Sequence, residues 1–556
     1  MKAKKIGILT LCSAILFGAA LYGQTTVAAT QLVDSDVAKL KAQLAEQQKQ
    51  LDALKAAMEE QKKLIEKTAN AVSTPDTFAL PRNKALGDVA STTPILPPIA
   101  PVAPVVSSQA GNAVPESPLQ IRIGDAYITP VGFMDFTDVW RNHDHGSGIG
   151  TNFGGTPYGN VFQNQLSENR LSIQNSRIGF RVDALVHDAH IIGYMEADFL
   201  GNNPSNVAVT SNSNTLRSRL YWVDLRKGNW ELLGGQTWSL ITPGRNGINP
   251  LPGNLFYSQD IDVNYQAGLV WGRIPELRLV GHFADDKVSF ALAFDQGENY
   301  VGGSGGSGIV TAPSTLASSY IGGELNNGAT TVSAPGLFAD TIAKLAFDPN
   351  KSVHFEVGGL VRPFRVFNPT TSTHYSAAGG GAFVNSNFQL WPGFRLIENA
   401  YWSDGGGRYI FGLAPDAAIT SNGDLSLIHS GSTVDGFEWT FHNTLIYAYY
   451  GGIYIQRNVQ IDTTGKTPAL VGWGYTGAPS NQNRIIQELT FGFNQTIWRD
   501  AKYGALNFMA QYSYDTRSPW YVPNNGSPDQ SNLNQIYLNL RYTLPGSAPT
   551  LGAPAR

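Results

Sequence analysis

Beyond residue 29 the chain has no run of about 20 apolar residues, but many of its segments alternate between apolar and polar side chains. The clearest segments are 484–496, 506–515 and 535–542, in which the apolar residues fall on one face of an extended strand. Because hydrocarbon cannot satisfy backbone hydrogen bonds, a chain without a long apolar helix can cross a membrane only as a closed β-barrel. A soluble β-sandwich shows the same alternation, so the pattern alone leaves both folds open.

The connections between the alternating segments favour the barrel. Transmembrane barrels have short periplasmic turns and longer outer loops, whereas sandwiches do not place their long loops systematically at one end. We therefore predict an all-β transmembrane barrel of about 16 antiparallel strands over residues 121–545, with both termini in the periplasm. The tight turns are 227–229, 285–286, 349–350, 392–393 and 499–501, and the long loops are 142–167, 201–214, 241–265, 300–337, 405–432 and 461–482.

Charge and cysteine content exclude several other classes of protein. Only 15% of the residues are charged, less than the roughly 25% of an average soluble domain, as expected when much of the surface faces lipid. From residue 121 onward, 27 Lys and Arg stand against 33 Asp and Glu, a net charge of −6, which argues against a nucleic-acid partner. Cys12 is the single cysteine and lies in the targeting segment, so we expect no disulfide, thiol nucleophile or zinc cluster.

Three further regions precede the barrel, and a short tail follows it. Residues 1–29 combine a basic start with a short apolar core and predict a signal peptide. Residues 30–70 predict a periplasmic α-helical coiled coil, residues 71–120 a Pro- and Ala-rich extended linker, and residues 546–556 a C-terminal tail. A single amphipathic helix is the alternative to the coiled coil. The heptad columns are Val37, Leu44, Leu51, Met58 and Ile65, and Val33, Leu40, Gln47, Leu54 and Gln61.

Within this architecture, segments 171–181, 194–199 and 235–239 resemble the second, third and fifth strands of the DcaP-like porins of Gram-negative bacteria. The resemblance implies a trimeric outer-membrane channel for small, often anionic, organic solutes, with its coiled coil in the periplasm. One departure is the end of the chain, where Tyr542 is followed by a tail instead of closing the sequence on an aromatic residue.

Charged residues on three adjacent predicted strands are the candidate pore-lining groups. The third strand places Glu196 and Asp198 opposite apolar neighbours, so both carboxylates should face the interior. The flanking strands carry two pairs of arginines, which could form a rigid cross-strand ladder with the acids or leave surplus positive charge that attracts anions. The candidate pore-lining residues are Arg177, Arg181, Glu196, Asp198, Arg217, Arg219 and, in the third outer loop, Arg245.

Two local features leave alternatives open. The apolar face changes parity between Ile173 and Ile178, which predicts a one-residue bulge near 175–177, or else a contact of Ser172 and Gln174 with a neighbouring subunit. The loop at 241–265 either folds inward, with Arg245 at a constriction, or lies on the surface.

No motif calls for an enzyme or a cofactor, and the pair His143 and His145 around Asp144 is only a weak candidate for metal binding. We therefore predict a non-enzymatic porin that passes small anionic or neutral solutes, surrounded by outer-membrane lipid and assembled as a homo-oligomer. The alternatives are a trimeric tether or adhesin with a structural barrel, and a soluble secreted β-protein.

Overall fold

The computed structural model describes residues 118–545 except 204–207, 256–258 and 330–335, together with Lys41, Ala45, Gln48, Lys49, Asp52 and Lys55. Those six residues are exposed and helical, and the Gln48 amide donates to Asp52 Oδ1 at 3.3 Å. The heptad columns of the predicted coiled coil lie outside the described residues, as do most of the linker and the tail from 546 onward.

Sixteen antiparallel strands close into a barrel, which confirms the predicted strand number and pairing. β3 and β4 are two parts of one barrel strand and count once. The other fifteen barrel strands are β2, β5–β13, β16, β17 and β20–β22, while β14–β15 and β18–β19 form small hairpins in two long loops. The strands are β1 Ile121–Ile123, β2 Ala126–Arg141, β3 Glu168–Ser172, β4 Arg177–Val186, β5 Ala189–Asp198, β6 Arg217–Lys227, β7 Trp230–Trp238, β8 Arg273–Phe283, β9 Val288–Asp295, β10 Asp340–Asn350, β11 Val353–Asn368, β12 Thr373–Trp391, β13 Phe394–Asp404, β14 Ala417–Ile419, β15 Leu425–Leu427, β16 His429–Phe441, β17 Thr444–Ile455, β18 Asn458–Asp462, β19 Ala469–Trp473, β20 Asn483–Asp500, β21 Gly504–Pro519 and β22 Ser531–Thr543.

Helix is scarce in this part of the chain. It comprises one α-turn, Ala317–Tyr320, and the 3₁₀ segments Phe153–Gly155, Phe162–Gln165, Pro252–Asn254 and Gly407–Tyr409. Of the helices among the described residues, none is long and apolar enough to cross a membrane.

The barrel closes where the first strand meets the last. β22 pairs with β2 from Phe133 to Arg141, and the short β1 covers the same edge of β2 at Ala126–Ile128. Pro130, which has no N–H to offer, lies in the gap between these two partners. The opposite edge of β2 pairs with β3 and β4, so the sheet has no open end.

The parity change in the second barrel strand is an interruption between β3 and β4. Leu171 and Ile178, which differ in parity, are both exposed on the outer face, so the chain shifts frame between them. Ser172 is buried, and its hydroxyl donates to Asn212 Oδ1 at 2.6 Å. The change of frame is thus confirmed, and the alternative that Ser172 faces a neighbouring subunit is wrong.

Candidate functional site

The described parts of the link between β7 and β8, residues 239–255 and 259–272, fold into the barrel and contact the inner wall. The backbone N–H of Gln259 donates to Tyr449 Oη at 3.1 Å, and the backbone N–H of Ala267 donates to Glu488 Oε2 at 2.7 Å. Gly268 has φ +91°, and a side chain there would meet the carbonyl of Thr433 at 2.5 Å. The close approach of loop and wall therefore requires glycine. Gln266 to Gly272, which the sequence assigns to the next strand, belongs to this loop because β8 begins at Arg273.

Four of the candidate pore-lining residues meet in one buried network at the outer ends of β5 and β6. Arg219, 1% exposed, donates to Glu196 Oε1 at 2.7 Å and to Asp198 Oδ2 at 2.7 Å. Arg217 holds Asp198 through two hydrogen bonds of 3.0 and 2.8 Å. Its side chain is 40% exposed, so it is the member of the network that water reaches most easily.

Arg177 and the inward loop complete the network from the other side. Arg177 lies 3.5 Å from Glu196, and its guanidinium stacks on Phe133 at 5.0 Å. Tyr265 of the inward loop accepts a hydrogen bond from Arg219 at 3.1 Å. Its φ of +64° is rare outside glycine and asparagine, so the loop holds this tyrosine in a strained conformation.

Arg273, which the sequence analysis does not single out, joins the same network. Its guanidinium lies 5.6 Å from both Trp238 and Trp271, and Arg219 stacks on the same Trp238 at 5.9 Å. Arg273 Nη1 is buried and has no hydrogen-bond partner among the described residues. We call Arg177, Arg217, Arg219 and Arg273 the guanidinium cluster, which surrounds the two carboxylates Glu196 and Asp198.

Arg181 lies on the inward face of β4 but binds a carboxylate of its own strand. It is fully buried and forms two hydrogen bonds of 2.8 Å with Asp183, two residues along the same strand. The ion pair of Arg181 with Asp183 therefore joins two residues of one strand, whereas Arg217 and Arg219 pair across strands with Glu196 and Asp198.

Arg245 of the inward loop pairs with the wall. Its guanidinium makes two hydrogen bonds of 2.9 and 2.8 Å with Glu438 of β16, and its side chain is 10% exposed. The structure thus places Arg245 in the barrel interior, within a closed ion pair.

A second interior group is acidic and lies where the inward loop meets β20 and β21. Glu488 and Asp515 are directly opposite each other on these strands, and Asp262 of the loop interacts with both. Neutral groups supply their hydrogen bonds: Thr490 and the Ala267 amide bind Glu488, Gln535 binds Asp515, and Tyr537 binds Asp262. Asp262, Glu488 and Asp515 form the carboxylate cluster.

Burial raises the pKa of Asp262 above its usual range, against the opposing effect of its hydrogen bonds. Arg141 is close enough to interact with the cluster, but its ion pair is with Glu168, at 2.8 Å. The interior therefore contains one cluster in which guanidinium groups outnumber carboxylates and another in which carboxylates are bound by neutral donors.

Within the weak metal candidate, His143 makes hydrogen bonds of its own. His143 Nδ1 is 2.5 Å from the carbonyl of Asn164, and its Nε2 is 2.9 Å from the Asn142 amide. Within the part of the chain that the structure describes, no group of three or more His, Cys, Asp or Glu is arranged to hold a metal ion.

A closed sixteen-stranded barrel with an apolar exterior, a polar interior and a loop folded into that interior is the architecture of the porins. The structure is similar to the outer membrane channel DcaP of Acinetobacter baumannii, with a TM-score of 0.53 and 16% identity over 75% of this chain and 97% of that chain. At this identity the likeness shows the fold, and it confirms the DcaP-like architecture that the sequence motifs indicate.

Other outer-membrane proteins align with lower scores. An anion-selective porin from Comamonas acidovorans has a TM-score of 0.42 and 9% identity over 75% of this chain and 99% of that one. OmpT of Vibrio cholerae has a TM-score of 0.39 and 10% identity over 76% and 99% of the respective chains. No family model and no curated protein matches the sequence.

Proposed function

We propose that the protein is an outer-membrane porin through which small anionic or neutral solutes diffuse passively, guided by interior arginines. The observation that carries the proposal is the guanidinium cluster, where four arginines surround only Glu196 and Asp198. The fold likeness to a protein described as an outer membrane channel supports the porin role.

Geometry gives the arginines separate roles in this proposal. Arg219 is committed to two carboxylates and one tyrosine, so it fixes the cluster and has little capacity left for a solute. Arg217 is partly exposed and is the first group that an entering carboxylate or phosphate would meet. Arg273 offers a buried N–H without a partner beside two indole rings, which suits an anion with an apolar body.

The negative net charge of the barrel region does not oppose this selectivity. Exposed loop charges are screened over about 8–10 Å at physiological salt, whereas a cluster in a narrow interior concentrates its field on the path of the solute.

Planar-bilayer recording under a salt gradient tests the proposal. We expect the wild-type reversal potential to indicate anion preference, and the Arg217→Gln variant to shift toward cations while the barrel still assembles. Arg170→Gln is the matched control, because Arg170 is 44% exposed and pairs with Glu168 at 3.0 Å, much as Arg217 pairs with Asp198. A cation-selective wild type, or equal shifts in both variants, would refute the role of the cluster.

The regions outside the barrel belong to the same proposal. Residues 1–29 would target the chain for export, and residues 30–70 would form a periplasmic coiled coil joined by the linker 71–120 to a homo-oligomeric, trimeric barrel. We expect the oligomer to survive deletion of 30–120 in mild detergent, because contacts between barrels should supply most of the association. A monomeric truncated barrel in light scattering would instead make the coiled coil the organiser.

A further inference from the structure

Two carboxylates face outward on a barrel whose other strands present apolar side chains to lipid. Glu398 of β13 and Asp435 of β16 are exposed and lie directly opposite each other in the strand register. At comparable positions on β8 and β9 the outward residues include Leu279 and Phe290. The pair therefore breaks the apolar exterior on one side of the barrel.

The depth of the pair is set by aromatic rows on the same two strands. Phe394 and Trp439 lie opposite each other four residues toward the periplasmic turn, and Trp402 lies four residues toward the outer end. At about 3.3 Å per residue and a tilt of about 40°, each row is about 10 Å from the carboxylates along the membrane normal. Because aromatic girdles mark the interfaces of the bilayer, Glu398 and Asp435 lie near its midplane.

Polar neighbours extend the break over five strands. The Ser386 hydroxyl donates to Glu398 Oε2 at 3.1 Å, and the Thr433 hydroxyl donates to Asp435 Oδ2 at 2.9 Å. The Gln487 amide donates to Tyr450 Oη at 2.6 Å beside them. We call this surface the outer polar patch, consisting of Ser386, Glu398, Thr433, Asp435, Tyr450 and Gln487.

Lipid is a poor partner for such a surface. Ionised groups on the lipid face destabilise a barrel most at the midplane, and like charges directly opposite each other add to that cost. Asp and Glu side chains are too short to reach the headgroups from this depth. Among the described residues, the ion pairs of the barrel include none that involves Glu398 or Asp435.

We infer that the outer polar patch is the docking surface for a second membrane protein that presents a Lys or Arg side chain at mid-membrane depth. Charge complementarity selects this occupant: a cation between the two carboxylates would relieve their repulsion and remove both from lipid. A second copy applying the same patch would instead bring four carboxylates together.

Energy transfer in vesicles tests the inference with a defined probe. The full-length protein is reconstituted in phosphatidylcholine vesicles with a dansyl-labelled transmembrane helix of Leu and Ala that carries one central Lys. Trp402 and Trp439, which flank the patch on its own strands, serve as donors. We expect saturable transfer to the Lys helix, and association at least about tenfold weaker for a matched helix with Leu at that position.

Variants separate the patch from the rest of the barrel. Glu398→Gln with Asp435→Asn should abolish the preference for the Lys helix while folding normally. Asp138→Asn, which alters a carboxylate of β2 that accepts a hydrogen bond from Asn169 at 2.6 Å, should leave it unchanged. Equal binding of both helices, or a preference that persists in the double variant, would overturn the inference. Disulfide cross-linking of Glu398→Cys copies in a Cys12→Ser background would also overturn it, because a second copy would then occupy the patch.

Discussion

The guanidinium cluster and the carboxylate cluster lie inside the same barrel, but their charges are stabilised in different ways. In the first, Arg219 is locked between Glu196 and Asp198 at 2.7 Å, so both buried carboxylates have an opposite charge beside them. In the second, Glu488 faces Asp515 across neighbouring strands, and amides and hydroxyls bind them instead of cations. The paired cluster should therefore depend on its fully buried arginine, Arg219, whereas the acidic one should tolerate loss of charge.

The largest expected effect is the loss of Arg219. Arg219→Met removes the guanidinium shared by Glu196 and Asp198 and leaves two buried carboxylates short of partners, at a cost of about 3–5 kcal/mol in the free energy of unfolding. Arg217→Met should cost at most about 1 kcal/mol, because that pair is 40% exposed on the arginine side. Urea unfolding in lipid vesicles measures both, and similar losses would contradict the special position of Arg219.

Acidification should act on Asp262 of the carboxylate cluster. Because burial raises the pKa of Asp262, this carboxyl takes up a proton at a higher pH than an ordinary aspartate. Lowering the pH should therefore remove negative charge from the interior and shift the reversal potential further toward anions. In the Asp262→Asn variant, the change of reversal potential on acidification should be smaller than in the wild type. An identical pH response in that variant would assign the titration to other groups.

The smallest expected effect is a gain in stability. Glu488→Gln keeps an oxygen that can accept from Thr490 or the Ala267 amide, and it removes the like charge opposite Asp515. Unfolding should become harder by about 0.2–1 kcal/mol. Glu196→Gln is the matched change in the guanidinium cluster and should destabilise the barrel, since Glu196 pairs with Arg177 and Arg219. Stabilisation by both changes would erase the distinction between the clusters.

The sequence predicts the barrel and part of the guanidinium cluster because alternation fixes which face a residue occupies. Arg219, Glu196 and Asp198 lie on continuous strands, so the alternation along each strand shows that their side chains face the barrel interior. Arg181 is also inward, but its partner is decided by the distance to Asp183, which parity does not reveal.

The sequence does not predict that Arg273 belongs to the guanidinium cluster, for a different reason. It opens β8 directly after the inward loop, and its neighbours Trp238 and Trp271 come together only when the loop returns to the wall. Tyr265 likewise reaches Arg219 through the path of the loop, which no periodicity encodes. Tertiary contacts made by irregular chain are therefore the part of the site that the sequence leaves undetermined.

The pairing of Phe133 with Thr543 constrains the order in which the strands of the barrel can pair during folding. The edge of β2 from Phe133 to Arg141 is paired only when β22, the strand synthesised last, arrives, and contacts so distant along the chain form slowly. Until then both edges of the growing sheet are exposed to other chains, which is the situation that favours aggregation. The barrel therefore stays open until β22 pairs with β2. We expect the chain to need chaperones that cover both edges of the sheet until then.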